Sequence, residues 1–280
     1  MRPKPEPLSW TRANGTVADG PQYLALRDQI ALSIEIGKLQ AGARLPSERQ
    51  LQNDSGMARG TIREALFQLE AEGLVYRRDR SGWYVSPPAI TYDPRRWAGF
   101  MTYVTEQGRV PGTETLSKEN MPASPAIADI FRMAPGTSLH LIKRRRTIDD
   151  RPVLLEQIIV DPSYAPDLLS YSLDCSLTQI LTEDFGVTVA RNRVDMRPCA
   201  LVKDAADALG VKSGTPGLLL TRTSFDPTGR VVEYDQEYWR HDAIRVHVDL
   251  DVRPGTPWHT PDPSQSRAFP TRQADPQPYR

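Results

Sequence analysis

The sequence predicts an α+β chain with two folded zones between two loose ends. Three observations carry that expectation. Residues 21–88 show apolar residues at helical spacing, then two short runs of β-formers. Residues 99–252 alternate long strand-like runs with short helices closed by glycine, which suits antiparallel hairpins better than parallel βαβ units. The flanks, 1–20 and 253–280, are rich in proline and polar residues and bury too little apolar surface to offset ordering, so they are expected to be disordered tails.

In the first zone, "PQYLALRDQIALSIEIGKL" starts behind a proline and repeats Tyr23, Leu26, Ile30 and Ile34 at helical spacing until Gly37. "LPSERQLQND" carries a capping box, in which Ser47 accepts from the Gln50 amide and the Gln50 side chain returns to the Ser47 amide. That short helix ends near Ser55–Gly56, and the next begins within a few residues and stops at Gly73. "LVYRRD", a turn at "RSG" and "WYVS" read as a small hairpin; the proline-punctuated "PPAITYDP" follows, and a linker is expected over 89–98. Two short helices, a tight turn and a hairpin make a winged helix-turn-helix pattern. Ile62, Ala65, Leu66 and Leu69 form the packed stripe of the second helix, and Arg59 and Arg63 lie off it near the N-terminal end. Such arginines suit guanine edges or phosphates. On residue type alone the favoured reading is solvated helix surface, with Arg63 pairing to Glu64 or Glu70. Arg49, Arg77, Arg78 and Arg80 add cations on both sides.

Within the second zone, "SLHLIKRRRTIDDRPVLLEQIIVDP" reads as a strand, a turn at Asp149–Asp150 and a returning strand. Alternation puts Arg144 and Arg146 on one face and Lys143 and Arg145 on the other. Glu156 on the returning strand is placed to orient one of these arginines or to bind a ligand. "SLTQILTEDFG" and "KDAADALGV" read as short helices closed by Gly186 and Gly210, with "VTVARNRVDMRPCAL" a strand between them. "GLLLTRTSFDPTGRVVEYDQEYWR" is a second hairpin, turning at "DPTG".

Composition sets the outer limits. The 280 residues suffice for two modest cores, and 35 Lys+Arg balance 35 Asp+Glu, so any polyanion must be met by a local arrangement of charge. Two cysteines, Cys175 and Cys199, make neither a disulfide framework nor a metal site. The histidines His140, His241, His247 and His259 lack metal-ligand spacing. No nucleophile elbow or glycine-rich phosphate loop appears. We therefore expect no enzyme, no cofactor and no metal. Without an apolar leader or a spanning run, a soluble, cytoplasmic protein with no membrane partner is expected.

"LPSERQLQNDSGMARGTIREALFQLEAEGLVYRRDRSGWYV" resembles the DNA-binding domain of the GntR superfamily of bacterial transcription regulators, from Tyr23 to Val85. The resemblance implies that Arg49, Arg59 and Arg63 contact operator DNA. It also implies that Thr61 helps on the backbone, Gly60 approaches through its main chain, and Arg78 and Gly82 serve the wing. Ala58 stands where the family has Ser or Thr, so the helix start lacks a hydroxyl. From Pro122 to Leu250 the chain resembles the UTRA effector-sensing domain of the HutC branch, which has a chorismate-lyase-like fold. By position Arg144, Arg146, Glu156, Ser176, Glu233 and Trp239 match that family's ligand-contacting residues. Departures at the "GFMTY" loop (Gly99 and Met101), at Thr178 and at Trp239 point away from a phosphosugar and toward another ligand. The function expected is a homodimeric regulator, a repressor released from a palindromic operator by a small effector. The alternative is a ligand-independent regulator of the plasmid copy or transfer type, whose C-terminal domain only dimerises.

Overall fold

The computed structural model describes residues 21–78, 81–96 and 98–250. The expected tails at 1–20 and 253–280, and Arg80, lie outside the described residues.

The head is built from α1 (Gln22–Glu35), α2 (Glu48–Ser55) and α3 (Arg59–Ala71), followed by β1 (Val75–Arg78) and β2 (Gly82–Val85). The capping box at α2 forms in both directions: Gln50 N donates to Ser47 Oγ at 3.2 Å and Ser47 N donates to Gln50 Oε1 at 2.9 Å. The predicted stripe of α3 is fully buried and closes a core with Leu26, Ile30, Leu51, Val75 and Val85. Gly73, at φ +76°, turns the chain out of α3 into the wing. β1 and β2 pair antiparallel from Val75–Val85 to Arg78–Gly82.

The expected linker is partly a strand. β3 (Ile90–Tyr92) pairs in parallel with β10 (Ile244–Val246), near the end of the described chain. Prolines at 87 and 88 masked this run, and its partner lies far away in sequence. The "GFMTY" stretch is also not a loop, since α4 (Phe100–Glu106) begins inside it.

The second domain is a six-stranded sheet in the order β4-β5-β6-β9-β8-β7, with every neighbouring pair antiparallel. Its strands are β4 (Pro111–Pro122), β5 (Ser138–Ile148), β6 (Arg151–Val160), β7 (Arg191–Leu201), β8 (Thr215–Phe225) and β9 (Val231–Arg240). Asp149 and Asp150, both at positive φ, form the tight turn between β5 and β6. α5 (Pro125–Phe131) and α7 (Lys203–Leu209) cover one face, packing on Leu139 and Ile159 and on Leu155 and Leu201 respectively. α4 and the segment around α6 (Leu177–Gln179) cover the other, on Leu154, Trp239, Ile142 and Ile158. The predicted helix "SLTQILTEDFG" is one α turn that widens into a π turn over Ile180–Asp184.

Head and second domain meet at the end of β9. Asp242 there accepts from Arg240 Nε at 3.1 Å, from Ser86 Oγ of the head at 3.3 Å, and from Arg151 Nη2. The Arg151 guanidinium lies over the Tyr76 ring of β1 at 4.0 Å. His241 stands between two carbonyl oxygens at 2.9 Å, Pro216 O and, at the end of α3, Glu70 O. A Cβ on Gly73 would come within 3.1 Å of Asp242 Cβ, so glycine serves both the turn and this close approach.

The N-cap of α3, Ala58, has extended backbone (φ −63°, ψ 146°) and offers no side-chain acceptor. Ala58→Ser fits that backbone and should raise stability by about 1 kcal/mol, read as a shift in the urea midpoint at unchanged slope.

Candidate functional site

The first site is the exposed face of α3. Arg59 and Arg63 stand one turn apart, with side chains 70 % and 47 % exposed. Their nearest carboxylate is Glu48 of α2, at 3.4 Å from Arg59 Nε and 3.9 Å from Arg63 Nε, and not Glu64 or Glu70. Pairs this exposed are worth about 0–1 kcal/mol, so a phosphate or base edge can displace Glu48 at little cost. Phe67 lies under Arg63 at 5.7 Å from its ring centre and limits the directions that guanidinium takes.

Arg49 is exposed on α2, and Gly60 is exposed with open space where a side chain would stand. Thr61 is half-buried beside them. With no side chain capping α3, its first-turn amides add partial positive charge to the same surface. In the wing, Arg78 is exposed opposite Gly82 (φ +101°). Arg44 lies 3.7 Å from where a Gly82 Cβ would be, a cation beside the wing that motif reading missed because it precedes the motif. Arg59, Arg63 and the open start of α3 thus form a cationic ridge, with the wing to one side.

The second site is a cavity between the β-sheet and its α4–α6 cover. Arg144, Arg146, Glu156, Ser176 and Glu233 all line it, joined by Arg222, Asp235 and Glu237. Alternation on β5 works as the sequence implies: Arg144 and Arg146 are 2 % and 3 % exposed, while Arg145 points away to Glu114 and Lys143 to Asp204. Both buried guanidiniums donate to one oxygen, Glu156 Oε2, each from Nε at 2.9 Å. Arg144 Nη1 also donates to the carbonyls of Leu173 and Cys175, and Arg146 Nη1 donates to Thr113 Oγ1 at 2.5 Å. Burial alone would raise the Glu156 carboxyl, but the two guanidiniums outweigh it and hold it at about 2.

The opposite wall is acidic. Burial, opposed by Arg222, pushes Glu233 up to about 7. Burial and the neighbouring Glu156, Glu237 and Glu233 push Asp235 well above the carboxylate range. Arg222 Nη2 donates to Glu237 Oε1 at 2.9 Å and to the Tyr92 hydroxyl at 3.1 Å. Asp235 Oδ1 is buried with no hydrogen-bond partner among the described residues.

Trp239 is displaced from its expected role. Its indole is fully buried against Phe100 outside the cavity lining, and its Nε1 donates to Glu237 Oε2 at 2.7 Å. It reaches the cavity only through that carboxylate. Arg222, Asp235 and Glu237 were absent from the sequence expectation, although the alternation that selects Glu233 also selects Asp235 and Glu237, and β8 pairs Arg222 with Asp235.

A winged helix-turn-helix head joined to a sheet domain with a charged, enclosed cavity defines the class of DNA-binding regulators that carry a ligand-sensing domain. The model for bacterial regulatory proteins of the gntR family matches residues 22–85, and that for the UTRA domain matches residues 106–245. The HTH-type transcriptional regulator YihL of Escherichia coli K12 is 30% identical over 212 residues, 75% of this chain and 89% of YihL. The HTH-type transcriptional repressor NagR of Bacillus subtilis is 28% identical over 222 residues, 79% and 91% of the two chains. The crystal structure of PhnF from Mycobacterium smegmatis shares the fold, with a TM-score of 0.58 at 22% identity, over 81% of this chain and 99% of that one. The chain belongs to the gntR family of bacterial regulatory proteins, with a UTRA domain in its C-terminal part. It is a DNA-binding transcription regulator and not an enzyme. No helix among the described residues is long and apolar enough to cross a membrane.

Asp235→Asn should raise the melting temperature at pH 7.5, and the gain should shrink as pH falls toward 4. The folded Asp235 carboxyl keeps its proton where the unfolded chain has lost it, so the parent loses stability as pH rises above the ordinary carboxylate range. The amide carries no such dependence. Thermal melts of both proteins across that range check the sign.

Proposed function

We propose that this regulator is an operator-binding repressor released by a small polar effector seated in the cavity of the UTRA domain. The observation that carries the DNA half is the pair Arg59 and Arg63, exposed at the uncapped start of α3, with weak contacts to Glu48 and, for Arg63, the Phe67 ring. In this reading the two arginines meet base edges and phosphates in the major groove. Arg49, Gly60 and Thr61 approach the flanking backbone, and Arg78 and Gly82 bring the wing to the adjacent groove.

The chain acts as a homodimer, whose two-fold axis matches two half-sites of a palindrome. Repression as the sign of control is supported by the printed name of the relative NagR, a transcriptional repressor. The effector half rests on Arg144, Arg146, Glu156, Ser176 and Glu233, which converge on one enclosed volume. Trp239 supports that wall through Glu237. The domain division that goes with this reading is a head over 21–88 and a sensing and dimerising domain over 99–252, joined by the strand-bearing connection 89–98. β9 offers a route between the two functions. Glu233, Asp235 and Glu237 line the cavity from it, and the strand runs directly into Arg240, His241 and Asp242 at the head. A differential affinity of about 1–3 kcal/mol between two head arrangements suffices for control.

Fluorescence anisotropy on a labelled fragment of the promoter of its own gene cluster tests the DNA half. Arg59→Ala and Arg63→Ala should each weaken binding by about 1–3 kcal/mol. Arg49→Ala should weaken it uniformly across sequences and flatten the salt dependence by about one unit. Unchanged affinity in both Arg59→Ala and Arg63→Ala would remove α3 from the interface.

A further inference from the structure

We propose that the effector carries a protonated nitrogen, an amine or amidine, which seats against Asp235 and Glu233 on the acidic wall of the cavity. This rests on the cavity being the effector site.

Charge is divided unevenly inside the cavity. Three guanidiniums, of Arg144, Arg146 and Arg222, face four carboxyl groups, of Glu156, Glu233, Asp235 and Glu237. The arginines are unevenly spent. Arg144 and Arg146 turn on Glu156, and Arg222 turns on Glu237. None of the three donates to Asp235 or Glu233. Asp235 is 2 % exposed, and its Oδ1 meets no donor among the described residues. A buried oxygen without a donor costs about 1–3 kcal/mol, so the wall is built to be completed from outside. Oxygens of Glu156, Asp235 and Glu237 lie within 4.8 Å of one another, so a single donor centre between them reaches more than one carboxylate.

A nitrogen cation fits this wall better than the other candidates. A divalent ion needs several uncommitted oxygens at about 2.0–2.6 Å. Glu156 Oε2 already holds two guanidiniums, and both oxygens of Glu237 are occupied by Arg222 and the Trp239 indole. A hydroxyl brings one donor and no charge. An ammonium brings three donors and the positive charge that lets Asp235 and Glu233 ionise.

Proton release follows from this geometry. The charged groups around Glu233 and Asp235 are Arg222 on β8, Glu156 on β6, Arg144 on β5 and Glu237 on β9 itself. Burial and the acidic neighbours favour the protonated forms of both groups in the empty cavity. A bound cation therefore expels protons. Affinity should fall with pH by at least about ten-fold per unit below about 7, where Glu233 takes up its proton and Asp235 already holds one.

The test uses the full chain in calorimetry and thermal melts with three matched pairs: ethanolamine and ethylene glycol, putrescine and 1,4-butanediol, 4-aminobutyrate and 4-hydroxybutyrate. The expected result is stabilisation by at least one amine and not by its hydroxyl partner. The enthalpy should vary with the ionisation heat of the buffer, and Asp235→Asn, still folded by its own melt, should lose at least ten-fold in affinity. Stabilisation by the hydroxyl partners to the same extent overturns the nitrogen assignment while leaving the cavity as the effector site, and so does amine binding undiminished in Asp235→Asn. Stabilisation by Mg2+ or Ca2+ alone, lost in Asp235→Asn, replaces the nitrogen with a metal ion. No response to any of these probes, while a wider panel of nitrogen-free metabolites stabilises the protein, also overturns the nitrogen assignment alone. No response to any compound overturns the effector reading, and this inference with it.

Discussion

One oxygen atom, Glu156 Oε2, organises the interior of the second domain. Two guanidiniums on alternate residues of β5 converge on it, which is feasible only because the strand pleat turns Arg144 and Arg146 to the same side. Two buried cations at that spacing repel each other, and the carboxylate between them offsets that repulsion. Burial disfavours the charges in this group: at Glu156 the two guanidiniums outweigh it, at Arg144 it prevails and lowers the pKa, and hydrogen bonds to Leu173, Cys175 and Thr113 offset part of the cost. The segment leading into α6 is thereby tied to the sheet, and the cavity acquires a roof.

That arrangement is locally saturated at one end and incomplete at the other. The β5–β6 side has its donors and acceptors matched, whereas the β9 side carries more carboxyl groups than guanidiniums turn toward. A cavity with one finished wall and one unfinished wall is poised for a ligand with a distinct polarity, since the finished wall holds its shape while the other gains a partner. β9 is the shared element. Its cavity-facing residues lie on the strand that ends at Arg240, and the turn that follows carries Asp242 to the head. The node itself is a buried ion network with Arg151 and Ser86, backed by Tyr76, and such networks hold one geometry in preference to a graded range.

The head follows the opposite logic. Its core is apolar and closed, and its polar features are left open at the surface. α2 is capped in both directions by its own side chains, while α3 begins at Ala58 with no cap. The helix that faces outward is therefore the one without a side-chain cap, and its two arginines make weak contacts to Glu48, Arg63 also lying over Phe67.

The head was largely written in local sequence. Capping at Ser47 and Gln50, the apolar stripe from Ile62 to Leu69, the stop at Gly73 and the wing hairpin each depend on residues within a few positions of one another. The Asp149–Asp150 turn and the burial of Arg144 and Arg146 were likewise legible, because a strand's alternation is a local property. Tertiary structure decided what depends on distant pairing. β3 exists because Ile244–Val246 lies beside it, not because "PPAITYDP" favours a strand. Trp239 left the cavity because Phe100 and Glu237 together offer its ring a packing surface and its indole N–H an acceptor. Arg222, Asp235 and Glu237 joined the site only when β8, β9 and β6 came into register. Local pattern determines which face a side chain takes on its own strand. The company it keeps there is set by strand order, which no short window of sequence contains.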